Sequence, residues 1–213
     1  LLVSFPKYMT VWPAADVVSG HPVGFLDSVG MIFAGTPESA PFDALTGATP
    51  LDYLKVKLGA GVSVGDASTS PVFGALAGRG WEWGSIGFLL GGLWLIYRRV
   101  ITWHIPVTVM ATLFAIALVF HLMDPARYAS PLFHMFAGGA MLGAFFIATD
   151  PVTASTTPLG RIVYAGGIGV LEYVIRVWGG YPDALAFSVL LMNIVVPTID
   201  HYTQPRVFGH GRA

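Results

Sequence analysis

The residues able to do chemistry are few, and the most telling lie in the string Asp43-Ala44-Leu45-Thr46-Gly47-Ala48-Thr49-Pro50. Two threonines bracket a Gly-Ala pair ahead of a proline, which reads as an exposed turn with its last hydroxyl, that of Thr49, left uncrowded by small neighbours. Glu172 and Arg176 stand four apart inside an apolar run, so they share a helix face and can pair. Such a pair marks either an ion path or a self-neutralised structural element, with Arg176 reaching toward the interface beside Trp178. His121 and His134 fall near the facing ends of adjacent runs, where two imidazoles clamp a haem or make ordinary polar contacts. His104, at the other end of the same run as His121, finds no equally placed partner. Asp150-Pro151 and the hydroxyls of Thr153, Ser155, Thr156 and Thr157 make a loop that faces a cofactor or a neighbouring protein of a complex, or simply stops and caps helices. Asn193 and Pro197 put a polar group and a potential break in the last run, and broken membrane helices usually line a cavity.

These residues are positioned by elements that belong in lipid. Of 213 residues 54% are hydrophobic and 11% charged, and the mean hydropathy is +0.68. A water-facing shell needs far more charge. The net charge of −1 offers no basic field, so nucleic acid is excluded as a partner. Without cysteine the chain has no disulfide and cannot ligate an iron–sulfur cluster through its own thiolates.

Residues 1–12 read as the end of a membrane helix, without the basic flank and cleavage site of a signal peptide, so the chain reads as a fragment with earlier spans missing. Residues 13–80 hold no apolar run long enough to cross a bilayer and are expected to be extracytoplasmic or re-entrant. Residues 81–200 are expected to form five transmembrane helices, over 81–97, 103–123, 131–149, 161–178 and 183–200, followed by a cytoplasmic tail over 201–213. Trp81, Trp83, Trp103, Tyr128, Trp178 and Tyr181 mark the run ends as interfacial aromatics do. Glycines within the runs, such as Gly91-Gly92 and Gly166-Gly167, permit close helix packing. Arg98, Arg99, Arg161, Arg206 and Arg212 gather on one side, which the positive-inside rule makes cytoplasmic.

The pattern Asp-x-x-Ser/Thr-Gly-Ala-Thr, met here as residues 43–49, resembles the site at which flavin transferases attach FMN through its phosphate. Further strings extend the likeness: Arg98-Arg99-Val100-Ile101-Thr102-Trp103-His104-Ile105-Pro106, Phe145-Phe146-Ile147-Ala148-Thr149-Asp150-Pro151-Val152-Thr153-Ala154-Ser155, Gly179-Gly180-Tyr181-Pro182-Asp183, Met192-Asn193-Ile194-Val195-Val196-Pro197 and Asp200-His201-Tyr202. Together they resemble the D subunits of the Rnf ion-translocating electron transport complex, homologous to the B subunit of the sodium-pumping NADH:quinone reductase, from Leu1 to His210.

The resemblance implies an all-α integral membrane protein, a polytopic helical bundle forming part of an inverted-repeat fold, with a long extracytoplasmic flavin-bearing segment. It implies FMN bound covalently to Thr49 by a phosphoester, with Asp43, Thr46, Gly47 and Ala48 completing the cofactor-binding motif, Asp43 helping the transferase recognise it and Gly47 and Ala48 leaving it room, and a second, non-covalent flavin. No catalytic residue and no metal site is implied in this chain, and no Gly-rich dinucleotide fingerprint is present. The implied function is one subunit of a ferredoxin:NAD oxidoreductase that moves Na⁺ or H⁺, working with other membrane and peripheral subunits in the bacterial inner membrane. Thr49 would be periplasmic and the C-terminus cytoplasmic. A b-type haem subunit and a non-redox transporter or channel are the alternatives that the residues alone leave open.

Overall fold

A computed structural model of the chain describes residues 49–70, 72–78 and 81–204. The described residues are mostly helical and contain no strand beyond an isolated bridge between Phe73 and Gly78. Two short helices come first, α1 over Pro50–Gly59 and α2 over Val64–Ser68. They precede α3 over Trp81–Tyr97 and α4 over His104–Met123. An interrupted stretch follows, with α5 over Pro131–Phe136, one turn α6 over Ala140–Leu142 and a π-helical turn over Gly143–Ile147. The long helices α7 over Pro158–Trp178 and α8 over Leu185–Thr203 complete the bundle.

Helices α4, α7 and α8 are each long and apolar enough to cross a membrane. Helix α3 has 17 residues, about 25 Å of rise, and lies over the expected run 81–97. The run 131–149, expected to be one span, is instead broken at 137–139. Gly138 adopts φ +68°, a left-handed conformation that a helix cannot continue through. The last run behaves in the opposite way. Pro197 lies inside α8 without ending it, and the Asn193 side chain accepts a hydrogen bond from Tyr164 Oη at 2.7 Å.

The centre of the bundle is the packing of α7 on α4. Helix α7 buries Ala165, Ile168, Gly169, Glu172, Tyr173 and Arg176 at helical three- and four-residue spacing, and α4 answers with Ile105, Val109, Leu113 and Ala117. The backbones come close at Gly169, where an added Cβ would lie 2.9 Å from the Val109 carbonyl oxygen. On the outer faces large apolar side chains stand exposed, among them Trp83, Leu90 and Trp94 on α3 and Leu190 and Ile194 on α8. In water such faces would be a liability; in lipid they are the matched surface.

Helix α1 is docked across one end of this bundle. Leu51 and Leu54 pack with Ala67, Ala129, Phe133 and Ala137 in a second apolar cluster. The Lys55 ammonium then donates to the Arg176 carbonyl at 3.0 Å and to the Tyr181 carbonyl at 2.9 Å. Carbonyls in the last turn of a helix lack intrahelical partners and carry the negative end of its dipole, so a lysine there is a cap supplied from another element.

Three variants test this packing. Gly169→Ala should lower the thermal stability of the detergent-solubilised protein by about 1–3 kcal/mol, because a backbone carbonyl cannot rotate away. Gly166→Ala, whose nearest atom would be Thr112 Oγ1 at 3.9 Å, should leave the melting temperature unchanged or raise it. Lys55→Met keeps the stem and removes the ammonium, and should speed proteolysis of residues 60–70 about tenfold, with Lys55→Arg intermediate.

Candidate functional site

Thr49 is the N-cap of α1. Its backbone is extended at φ −64° and ψ 153°, its Oγ1 accepts from the Asp52 amide at 3.3 Å, and its carbonyl accepts from the Tyr53 amide at 2.9 Å. Pro50 occupies the first helical position, where its missing N–H costs nothing. The capping bond uses Thr49 Oγ1 only as an acceptor, so the hydroxyl proton takes no part in it, and the residue is half-buried rather than enclosed. A phosphoester oxygen is still an acceptor. The local geometry therefore fits a phosphate carried at the positive end of α1. Burial pushes the Asp52 carboxyl up, opposed by Lys55. Burial pulls the Lys55 ammonium down, opposed by Asp52 and reinforced by Arg176. Asp43, Thr46, Gly47 and Ala48 lie outside the described residues.

Next to α1 the interrupted stretch meets a charged cluster centred on Arg176. The pairing expected of Glu172 and Arg176 is present, with Arg176 Nη2 at 2.6 Å from Glu172 Oε1 and neither side chain more than 2% exposed. The same Nη2 donates to Asp183 Oδ1 at 3.2 Å, and Nη1 donates to the His134 carbonyl at 2.6 Å. That carbonyl would accept from residue 138 in an unbroken helix. Likewise the Gly139 amide, freed from its helical acceptor at residue 135, donates to Asp183 Oδ2 at 2.7 Å. The side chains thus replace the backbone bonds that the break removes. A cleft of about 720 Å³ opens beside this cluster, with Leu54, Lys55, Arg127, Phe133, His134 and Arg176 in its walls.

His121 and His134 are engaged separately. His121 Nδ1 donates to the Tyr128 carbonyl at 2.8 Å, whereas the His134 ring is buried with its centroid 5.1 Å from that of Tyr173. The described residues hold no cluster of three or more side chains suited to a metal ion.

The 150–157 loop sits at the other end of the bundle. Thr153 Oγ1 donates to Asp150 at 2.7 Å, and Thr156 Oγ1 donates to Asp200 at 2.8 Å. Ser155 also donates to Asp200, while Thr157 caps α7 through the Gly160 amide at 2.9 Å. The Thr153 hydroxyl bond leads the causes that hold the Asp150 carboxyl below its usual range. The Thr153, Ser155 and Thr156 hydroxyl protons are committed to anchoring the loop, whereas that of Thr49 meets no acceptor among the described residues. Sequence reasoning singled out Thr49, Glu172 and Arg176 but not Lys55, Asp183 or Asp200 as partners, whose contacts span 121, 7 and 45 residues respectively. Only the Asp183 contact could have been suspected, from a carboxylate placed just beyond the α7 terminus.

The sequence profile of the NQR2, RnfD, RnfE family matches residues 1–209. Among similar proteins are several named as the D subunit of an ion-translocating oxidoreductase complex. That of Alcanivorax borkumensis is 55% identical over 99% of this chain and 60% of the relative, and that of Yersinia pseudotuberculosis is 50% identical over 99% and 62%. The protein of the same name from Aliivibrio salmonicida is 48% identical over 99% of this chain and 62% of its own length. The chain thus spans about 60% of the length of the curated relatives it matches. A match along nearly the whole sequence, together with a strand-free bundle carrying three helices that can cross a bilayer, makes this chain a polytopic membrane member of the NQR2, RnfD, RnfE family.

Proposed function

We propose that this chain is the flavin-carrying part of a membrane subunit in an ion-translocating electron transport complex, with FMN joined to Thr49 by a phosphoester. The observation that carries the reading is the Thr49 hydroxyl itself, an acceptor-only cap at the start of a docked helix, standing where the flavinylation pattern ends. The names of the similar proteins support the electron-transport and ion-translocating parts. A flavin at this position would supply one- and two-electron chemistry to a chain that has no cysteine for an iron–sulfur cluster. The chain's own contribution is placement: α1 is fixed by Leu51, Leu54 and Lys55, so a group on Thr49 is held at one end of the bundle.

In this reading the electron donor and acceptor couple is ferredoxin and NAD, the moved ion is Na⁺ or H⁺, and the other subunits of the complex hold the nucleotide site and the clusters. A flavin transferase matures the protein, and a second flavin binds without a covalent link. The protein lies in the bacterial inner membrane with Thr49 periplasmic and the C-terminus cytoplasmic.

Denatured protein separated in a gel should fluoresce as a flavin, and Thr49→Val should abolish the signal. Valine also removes the helix cap, at about 1 kcal/mol. Thr49→Asn keeps a capping oxygen without the hydroxyl and should likewise lose the flavin at normal protein levels, whereas Thr49→Ser should retain some. Persisting fluorescence in Thr49→Asn would move the attachment elsewhere, Thr153 and Thr156 being the next hydroxyls to change. For orientation, reporter fusions after Gly59 and at the C-terminus should give opposite signals, and matching signals would reverse the reading.

A further inference from the structure

Glu172 is fully buried, and only one of its oxygens has a partner: Oε1 accepts from Arg176, while Oε2 has none among the described residues. Arg176 does not serve Glu172 alone, because the same Nη2 also donates to Asp183. Asp183 is the better served of the two acids. Its Oδ2 accepts from the Gly139 amide, and its side chain is 39% exposed to screening. Further charges beside this cluster are Lys55, which bonds the Arg176 carbonyl, Asp52, which is set against Lys55, and Arg127 in the cleft wall. From α4 His121 approaches, already donating to Tyr128, and from α5 the face is the buried His134 ring, packed against Tyr173. Glu172 and Asp183 therefore share one guanidinium, that of Arg176, while Asp52 is set against Lys55. A buried group cannot leave that surplus negative charge unbalanced without a large desolvation cost.

We infer that Glu172 is a proton-binding site within the membrane region, carrying the one proton that balances the cluster and exchanging it with water through the cleft beside α1. The surplus charge falls on Glu172 because Asp183 has a donor for each oxygen and Asp52 lies beside Lys55, whereas Glu172 Oε2 has neither donor nor solvent. The way in is also marked. Arg176 and His134 line the cleft and each leaves a buried nitrogen, Nε and Nδ1, without a partner among the described residues. Buried polar atoms left in this state are where ordered waters sit, and Arg176 is one hydrogen bond from Glu172. The step is a reversible transfer of one proton between cleft water and Glu172. It needs no redox partner, and it does not depend on a flavin at Thr49.

Dicyclohexylcarbodiimide tests this in native membranes carrying the full-length protein. The reagent reacts with protonated carboxyls in apolar surroundings: the acid's proton passes to a carbodiimide nitrogen, the carboxyl oxygen bonds to the central carbon, and rearrangement leaves a stable acylurea. Mass spectrometry should find the adduct on the peptide containing Glu172 at about tenfold or more the level on Asp183. Asp183→Asn, whose amide oxygen can keep the bond from Gly139 while its NH2 no longer accepts from Arg176, leaves the guanidinium charge to Glu172 alone and should lower that labelling about fivefold or more. A Glu172 peptide recovered without adduct from membranes in which other acids are labelled would overturn the inference. So would labelling that is unchanged in Asp183→Asn.

Discussion

The break at 137–139 is the constraint from which the rest of this end of the molecule follows. Once Gly138 turns left-handed, the His134 carbonyl and the Gly139 amide lose their helical partners. Each unpaired buried backbone group would cost about 1–3 kcal/mol. Arg176 and Asp183, one inside α7 and one just past its end, supply the missing donor and acceptor. A buried guanidinium is expensive, and Arg176 persists here because it bonds to Glu172 and Asp183 as well as to the orphaned His134 carbonyl.

That repair organises its surroundings. Gly138 can have no side chain, since a Cβ would meet Leu51 at 2.5 Å and Asp183 at 2.8 Å, so α1 and the 179–184 loop both pack directly on the break. Lys55 then joins α1 to the end of α7 and the loop beyond it through the Arg176 and Tyr181 carbonyls. Thr49 is positioned by this chain of contacts. Its place at one end of the bundle depends on a helix that is held from below by a break in another helix.

The opposite end solves the same problem with fewer charges. Asp200, near the end of α8, accepts from Ser155 and Thr156 and ties down the loop that precedes α7, while Thr157 and Thr203 bond across at 2.6 Å. Between the two ends the bundle relies on close backbone approach, as at Gly169 against α4 and at Gly143, where Leu185 leaves no room for a Cβ. In lipid, where burying apolar side chains adds little drive, such packing is what holds helices together.

Composition and apolar run length alone determined that the chain lives in a membrane, and the strings around residues 43–49, 98–106 and 179–183 determined its family. The boundaries of α3, α4, α7 and α8 were legible within a few residues, because prolines, capping hydroxyls and interfacial aromatics act locally. The pairing of Glu172 with Arg176 was legible for the same reason, being set by the pitch of one helix. What only the tertiary structure decided was where a helix breaks and where it does not. Gly138-Gly139 breaks one because Asp183 and Arg176 stand ready to take up the freed backbone groups, whereas Pro197 is carried through in α8. Those partners come from elements far along the chain, and a hydrogen bond across 42 or 44 residues leaves no local mark in the sequence.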